Sequence, residues 1–528
     1  MCKKLARPDV SAMVVLAAVV FFAVAAHGQD ALEKSKAAAF EAQLAKKGFT
    51  WQAGQAWFPD ILSMCCKCQL PSCYANNAST TYGFFALPPA PGQSASVPNP
   101  YTEWFAQDDQ LPPGWSFAWR LRPDEAVVFI AMTPPKVEYF GFTAYLYDRY
   151  VAGMGAVLDC TYTDDKGNTH YRAQPPSAQS RFPVFASLGD TINQQTIDLA
   201  GGRQDPYQKN VMLVMAADQK VLRQVENALV AAGYPEKSIN VLPVPPSLVR
   251  LGIDSQNDSA MFLMRVSPGV DNDVTYYYSQ PMTVLRVTPT TPIPAPQLDP
   301  IAPPTLRVRG TGKTEAYLEA QVDALGQSIV AYYAGMGYKA SPVKVAALPD
   351  GFNCITNMQN CLADNRDTIY ISPAYDMISS AILPKQPSLV LGPTDFLVAY
   401  GVQHPSVKKA LYSNISIMGW DKRAAPALVT NQDMAGSAQE YLPTADPALY
   451  AYQIARQIAP QISGCLTQHC ISIGYDCGSG IAPEEAVAPV FRAYLEPGTK
   501  IGPSRGEVVL DRIFKFSFAS QAPCTDAP

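Results

Sequence analysis

Histidine is nearly missing from this chain: among 528 residues only His27, His170, His404 and His469 carry an imidazole. No two of them stand four positions apart, so the paired-histidine helix of the zinc peptidases is excluded. The G-x-S-x-G elbow that presents a catalytic serine does not occur, and neither do the phosphate loop or the dinucleotide fingerprint. The turn Ala216-Ala217-Asp218 lacks the glycines that let a backbone approach a pyrophosphate, so no cofactor is expected. Charge is sparse, at 16% Asp, Glu, Lys and Arg against a typical share of about 25%. There is no basic excess, so nucleic acid is not an expected partner. Beyond the first thirty residues no run of 18 apolar residues follows, and Ala527-Pro528 closes the chain without the hydrophobic tail of a glycolipid anchor.

What is present begins with an export signal. Lys3, Lys4 and Arg7 precede a small or apolar run from Ser11 to Ala26, and Ala26-His27-Gly28 fits the small-x-small pattern of a cleavage site. Residues 1–28 are therefore expected to be a signal peptide, the mature protein secreted, soluble and free of membrane. Its removal leaves 37 basic and 44 acidic residues, a net charge of −7. Eleven cysteines remain, and in an oxidising compartment they predict disulfides rather than metal ligands. The candidates are Cys65, Cys66, Cys68, Cys73, Cys354, Cys361, Cys465, Cys470 and Cys477, with Cys160 and Cys524 besides. An odd number predicts one thiol free or linked to another chain. Sequons at Asn77, Asn257 and Asn414 make an N-glycosylated extracellular protein the expectation.

The fold class expected is mixed α/β: two mixed-sheet units with helices, behind an irregular N-terminal region rich in Cys and Trp. That region covers 29–114, where a helix to about Lys47 carries Leu32, Ala39, Phe40 and Leu44 on one face. The first unit, 115–287, holds a β-α-β pattern. Its strand Val211–Met215 is followed by Asp218 as cap, a helix through Val221, Val225 and Leu229, a Gly233 stop and a strand from Ile239. Val274–Tyr278 and Met282–Val287 would close it as antiparallel strands. Seven prolines among residues 288–304 predict an extended linker. The second unit, 305–528, opens with a helix from Thr314 through Leu318, Val322, Leu325, Ile329, Tyr332 and Met336, and includes a second helix from Asp446 through Ile458.

Chemistry-bearing residues are few. Leu188-Gly189-Asp190-Thr191 after an apolar strand resembles the Gly-Asp-Ser block of SGNH-type esterases over four residues only. Threonine stands where the nucleophilic serine would be, and the matching D-x-x-H block is missing. For a hydrolase assembled from scattered loops, His170, Asp190 and His404 are the first candidates. Asp364 and Asp367, in the polar stretch after Cys361, are candidate calcium ligands. Five of the six tryptophans (Trp51, Trp57, Trp104, Trp115, Trp119) fall in the N-terminal quarter. Aromatic faces stack on sugar rings, which makes a glycan one possible extracellular ligand. The expectation is a secreted protein acting by binding at the cell surface or in matrix, with a secreted hydrolase as the alternative.

Overall fold

A computed structural model describes residues 35–518, apart from 71, 104–110, 156–159, 164–166, 268–273, 348–350, 374–388 and 460–461. The expected signal peptide, Trp104 and Cys524 lie outside these residues. The fold is mixed α/β and mostly sheet, with few helices.

Ten strands form the first sheet, in the order Ile239–Pro243, Asn210–Ala216, Ala126–Met132, Thr283–Pro289, Phe49–Trp57, Thr81–Ala86, Ser259–Ser267, Tyr139–Tyr150 and Arg181–Ser187, with Ile192–Asn193 also on Tyr139–Tyr150. Ile239–Pro243 and Asn210–Ala216 are parallel neighbours, as the β-α-β pattern requires. Between them, Asp218 caps helix Gln219–Ala231 by accepting from the amides of Lys220 and Val221. Gly233 then takes φ +92°, a conformation that costs glycine little.

Strand Phe49–Trp57 links the two halves of this sheet. Phe49 to Gly54 pair with Val284–Pro289, whereas Gln55 to Trp57 pair with Phe84–Ala86. At the handover a Cβ on Gly54 would lie 2.4 Å from Leu87 Cδ2 and 3.0 Å from the Ala86 carbonyl, so only glycine fits. Beyond it the halves fold face to face. Phe85 packs 4.9 Å from Phe129 and 3.6 Å from Phe262, in one core cluster with Val127, Phe142 and Leu213. The alternate residues Ala126, Val128 and Ile130 turn outward onto helix Gln219–Ala231 and onto Phe40 and Leu44 of the helix at 35–46.

Two further sheets follow. Five strands run Val345–Ala347, Thr368–Pro373, Val487–Tyr494, Tyr412–Gly419 and Ala424–Thr430. Six run Tyr338–Val343, Arg512–Phe518, Phe396–Val402, Leu449–Ala459 and Ile462–Ser463, with Cys470–Cys477 parallel to Leu449–Ala459. The largest core cluster joins all three sheets: Trp57, Phe84, Tyr145, Phe185 and Leu263 of the first, Ile371, Ile415 and Val490 of the second, Leu397, Ile454 and Ile513 of the third. Helix Glu319–Ala334 covers the far face of the six-stranded sheet through Val322, Leu325, Ile329 and Tyr333.

Several expectations are corrected. The N-terminal region is not irregular throughout, because Phe49–Trp57 and Thr81–Ala86 are central strands of the first sheet. The division into two units is not confirmed: residues of both halves share the largest core, and Cys66 is bonded to Cys477. Thr275–Tyr278 is a short helix. Leu449–Ala459 is a strand, paired along Phe396–Val402, where a helix from Asp446 was expected. Within the proline stretch, Ile301 donates to the Ala217 carbonyl (2.8 Å) and the Asp299 carbonyl accepts from Gln219 (2.7 Å). In the long helix Tyr333 is the buried tyrosine, and Tyr332 and Met336 are exposed.

Candidate functional site: an aromatic cavity between two sheets

The ten described cysteines pair as Cys65–Cys73, Cys66–Cys477, Cys68–Cys160, Cys354–Cys361 and Cys465–Cys470. No described helix is long and apolar enough to cross a membrane. The disulfides are consistent with an extracellular protein.

The hydrolase candidates His170, Asp190 and His404 each have partners of their own, whereas Asp190 lies near Asp367. His170 lies on the two-stranded ribbon Cys160–Thr163 and Thr169–Arg172, exposed and stacked on Tyr162 at 5.0 Å. Asp190 accepts from Arg366 (2.6 Å) and from the Arg307 amide (2.7 Å). His404 is buried between Glu315, 2.8 Å from its Nδ1, and Asp511, 3.9 Å from its Nε2. Burial opposes charge on this imidazole, but the two carboxylates outweigh it and raise the pKa to about 10. His404 is thus a charged clamp that fastens the segment before the long helix to the start of the last strand. His469 pairs with Glu440 at 2.7 Å.

Protein donors occupy both Asp364 and Asp367. Asp364 accepts from Ser187 N (2.8 Å), Ser187 Oγ (2.7 Å) and Gly351 N (2.9 Å). Asp367 accepts from the Tyr139 hydroxyl (2.9 Å) and Asn193 Nδ2 (2.8 Å). Its burial outweighs these bonds and lifts its pKa to about 7. Among the sequons, Asn77 and Asn414 are buried, at 2% and 1% exposure, which leaves no room for a glycan in the folded chain. Asn257 is half-buried, with Nδ2 donating to the Leu251 carbonyl. The described tryptophans of the N-terminal quarter form no surface platform: Trp57 and Trp119 are buried, Trp51 and Trp115 half-buried.

Trp57 instead lines a cavity between the first sheet and the five-stranded sheet. Its space is about 930 Å³ counting the open mouth. One wall is the inward row of the first sheet, Trp57, Tyr82, Phe84, Tyr147, Phe185 and Leu263, joined by Phe117. The opposite wall is Tyr370, Val490, Arg492 and Tyr494. Period-two alternation explains that wall, because Val490, Arg492 and Tyr494 share one face of their strand while Phe491 and Ala493 take the other. The segment Cys73-Tyr74-Ala75-Asn76 and residues 361–364 close the sides, each beside a disulfide. Rings brace one another around the space: Trp57–Phe84 at 5.8 Å, Tyr74–Phe185 at 4.7 Å and Tyr147–Phe185 at 5.1 Å. Such pairs add about 0.5–1.5 kcal/mol each beyond area burial, so the walls are stiff.

Two arginines break the apolar lining. Arg265 is 4% exposed and Arg492 3%. Arg265 donates to the Tyr145 hydroxyl (2.7 Å) and the Ala363 carbonyl (2.6 Å). Arg492 donates to Ser416 Oγ (2.6 Å) and the carbonyls of Ala75 (2.5 Å) and Val490 (3.5 Å), with its guanidinium 5.4 Å from the Tyr370 ring centre. No described carboxylate lies within ion-pair distance of either. The surrounding phenols supply no negative charge either. Burial pushes Tyr145 and Tyr370 far up and Tyr494 up to about 12, so all three stay neutral. The sequence analysis missed both arginines, although each interrupts an otherwise apolar strand, Met261-Phe-Leu-Met-Arg265-Val266 and Val490-Phe-Arg492-Ala-Tyr494. A charge inside such a run was the available signal.

The chain matches no protein-family profile and no curated protein. Among solved structures it is similar to an uncharacterized protein from Burkholderia cenocepacia, at 10% identity and TM-score 0.36, over 94% of this chain and 97% of that one. A protein from Parabacteroides distasonis whose name presumes it secreted aligns at 5% identity and TM-score 0.18, over 90% and 89%. Likenesses this weak carry no argument about function.

Proposed function

We propose that this is an extracellular binding protein that holds a small, flat, apolar molecule in the cavity between the first and the five-stranded sheet. The observation that carries the reading is the cavity itself, walled by Trp57, Tyr82, Phe84, Phe117, Tyr147, Phe185 and Tyr494 and braced by disulfides at Cys73 and Cys361. Well-packed interiors close such voids, because unfilled walls forfeit dispersion contacts. A cavity lined by rigid rings and a few convergent polar groups is the usual form of a small-molecule site. The walls favour rings over sugars, since few polar side chains face the space.

Burying roughly 150 Å² of a two-ring ligand at ~25 cal/mol/Å² contributes about 4 kcal/mol, which corresponds to roughly millimolar affinity from apolar contact alone. The test is a ligand-observed NMR titration of the purified mature protein with neutral 2-naphthamide. Saturable one-site binding that is lost in a folded Leu263→Phe variant, whose larger ring fills the cavity, is the expected result. Absence of binding, or binding that Leu263→Phe leaves unchanged, overturns the reading.

A further inference from the structure

We infer that the molecule held in this cavity is an anion: an apolar acid whose carboxylate sits between Arg265 and Arg492. The inference rests on the proposed binding function and names its ligand class.

A buried cation is expensive, with an effective cost of several kcal/mol per ion even after relaxation, and folded chains normally meet it with a paired acid. This chain follows that rule elsewhere. Arg181 pairs with Asp148 at 2.7 Å, Arg286 with Glu125 at 3.0 Å and Arg149 with Asp258 at 2.8 Å. Arg265 and Arg492 depart from it, and both line the same cavity. Arg120 and Arg456 are also buried without a carboxylate, but neither lines it, and Arg456 is held by the carbonyls of Ile481, Ala482 and Glu485.

A guanidinium carries five N–H donors. Hydrogen bonds among the described residues engage two on Arg265 and three on Arg492. The acceptors engaged are neutral hydroxyls and carbonyls, so they orient the groups without cancelling their charge. Asp364 is the one acid in the cavity wall, and its oxygens already accept from Ser187 and Gly351. Two fixed cations with unspent donors in an aromatic enclosure call for an acceptor that is anionic and a body that is apolar. A carboxylate meets the first requirement through the planar fork of arginine.

The experiment compares 2-naphthoate with 2-naphthamide, which has nearly the same shape and no charge. Hydrogen bonds to a charged group are worth about 1 kcal/mol more than neutral ones, so naphthoate is expected to bind roughly fivefold tighter or more. The preference should fall toward unity in Arg265→Gln and in Arg492→Gln, and survive in Arg492→Lys, which keeps the charge. Circular dichroism shows which variants fold, and the native ratio stands even if one does not. Equal affinities, or tighter binding of the amide, overturn the anion inference and leave the cavity function intact. A preference untouched by a folded glutamine variant overturns it as well. If neither compound binds, the binding reading fails and this one with it.

Discussion

Replacing Asp367 with asparagine should flatten the pH dependence of stability between pH 4 and pH 7. The Asp367 carboxyl is fully enclosed, faced by the Tyr139 hydroxyl and Asn193 Nδ2, with the charges of Asp190 and Arg307 nearby. Burial is the largest influence and raises its pKa from 3.8 to about 7, more than the two hydrogen bonds can lower it. The folded chain therefore holds a proton at this site that the unfolded chain has released above pH 4. The associated stability is complete below about pH 4 and is lost as pH rises through 7. A shift of this size corresponds to up to about 4 kcal/mol, at 1.36 kcal/mol per unit. Asparagine mimics the protonated acid and cannot ionise. The assay is urea denaturation of both proteins from pH 4 to pH 8, where the difference between the curves isolates Asp367 because the remaining groups are shared. Curves that stay parallel within about 0.5 kcal/mol across that range would refute a buried, proton-holding Asp367. The Tyr139 ring that donates to Asp367 also packs 4.6 Å from Tyr494 in the cavity wall.

Three further outcomes follow from the same coordinates. His404→Gln leaves Glu315 buried without its cation and should cost about 3–5 kcal/mol near neutral pH. Because the folded imidazole titrates near 10, that cost should shrink as pH rises from about 6.5 through 10, which thermal melts across the range can follow. Cys66→Ser with Cys477→Ser removes a link between residues 411 apart and should lower stability by about 2–4 kcal/mol, read by denaturant midpoint under non-reducing conditions. Mass mapping of folded protein from a glycosylating host should find Asn77 and Asn414 unmodified, since a glycan on either would have no path out of the interior.

Local signals in the sequence were reliable where short-range chemistry decides the outcome. The Asp218 cap, the Gly233 stop and the parallel pair they connect were legible because each depends on residues close in the chain. Leu449–Ala459 was not. Its spacing of Tyr450, Ile454 and Ile458 suits a helix, but pairing with Phe396–Val402 decided the matter from fifty residues away. Thr275–Tyr278 failed in the opposite direction, with three tyrosines of high strand propensity taking one helical turn. The cavity was hidden for a tertiary reason. Its two arginines are 227 positions apart, and only the stacking of two sheets brings Arg265 and Arg492 into the lining of one cavity. The tryptophans did hold part of the answer, because Trp57 belongs to the wall, though as an interior ring rather than an external platform.

Strand Phe49–Trp57 has a consequence for how the chain matures. Its partners along most of its length, Val284–Pro289, arrive some 230 residues later in synthesis. Until then the segment emerges early, rich in aromatics, with its hydrogen-bonding edge open to any stray neighbour. Native pairing of this kind carries a high closure entropy and is slow. The nascent polypeptide should therefore lean on holding factors, and truncations ending before residue 283 should aggregate instead of accumulating as a stable half.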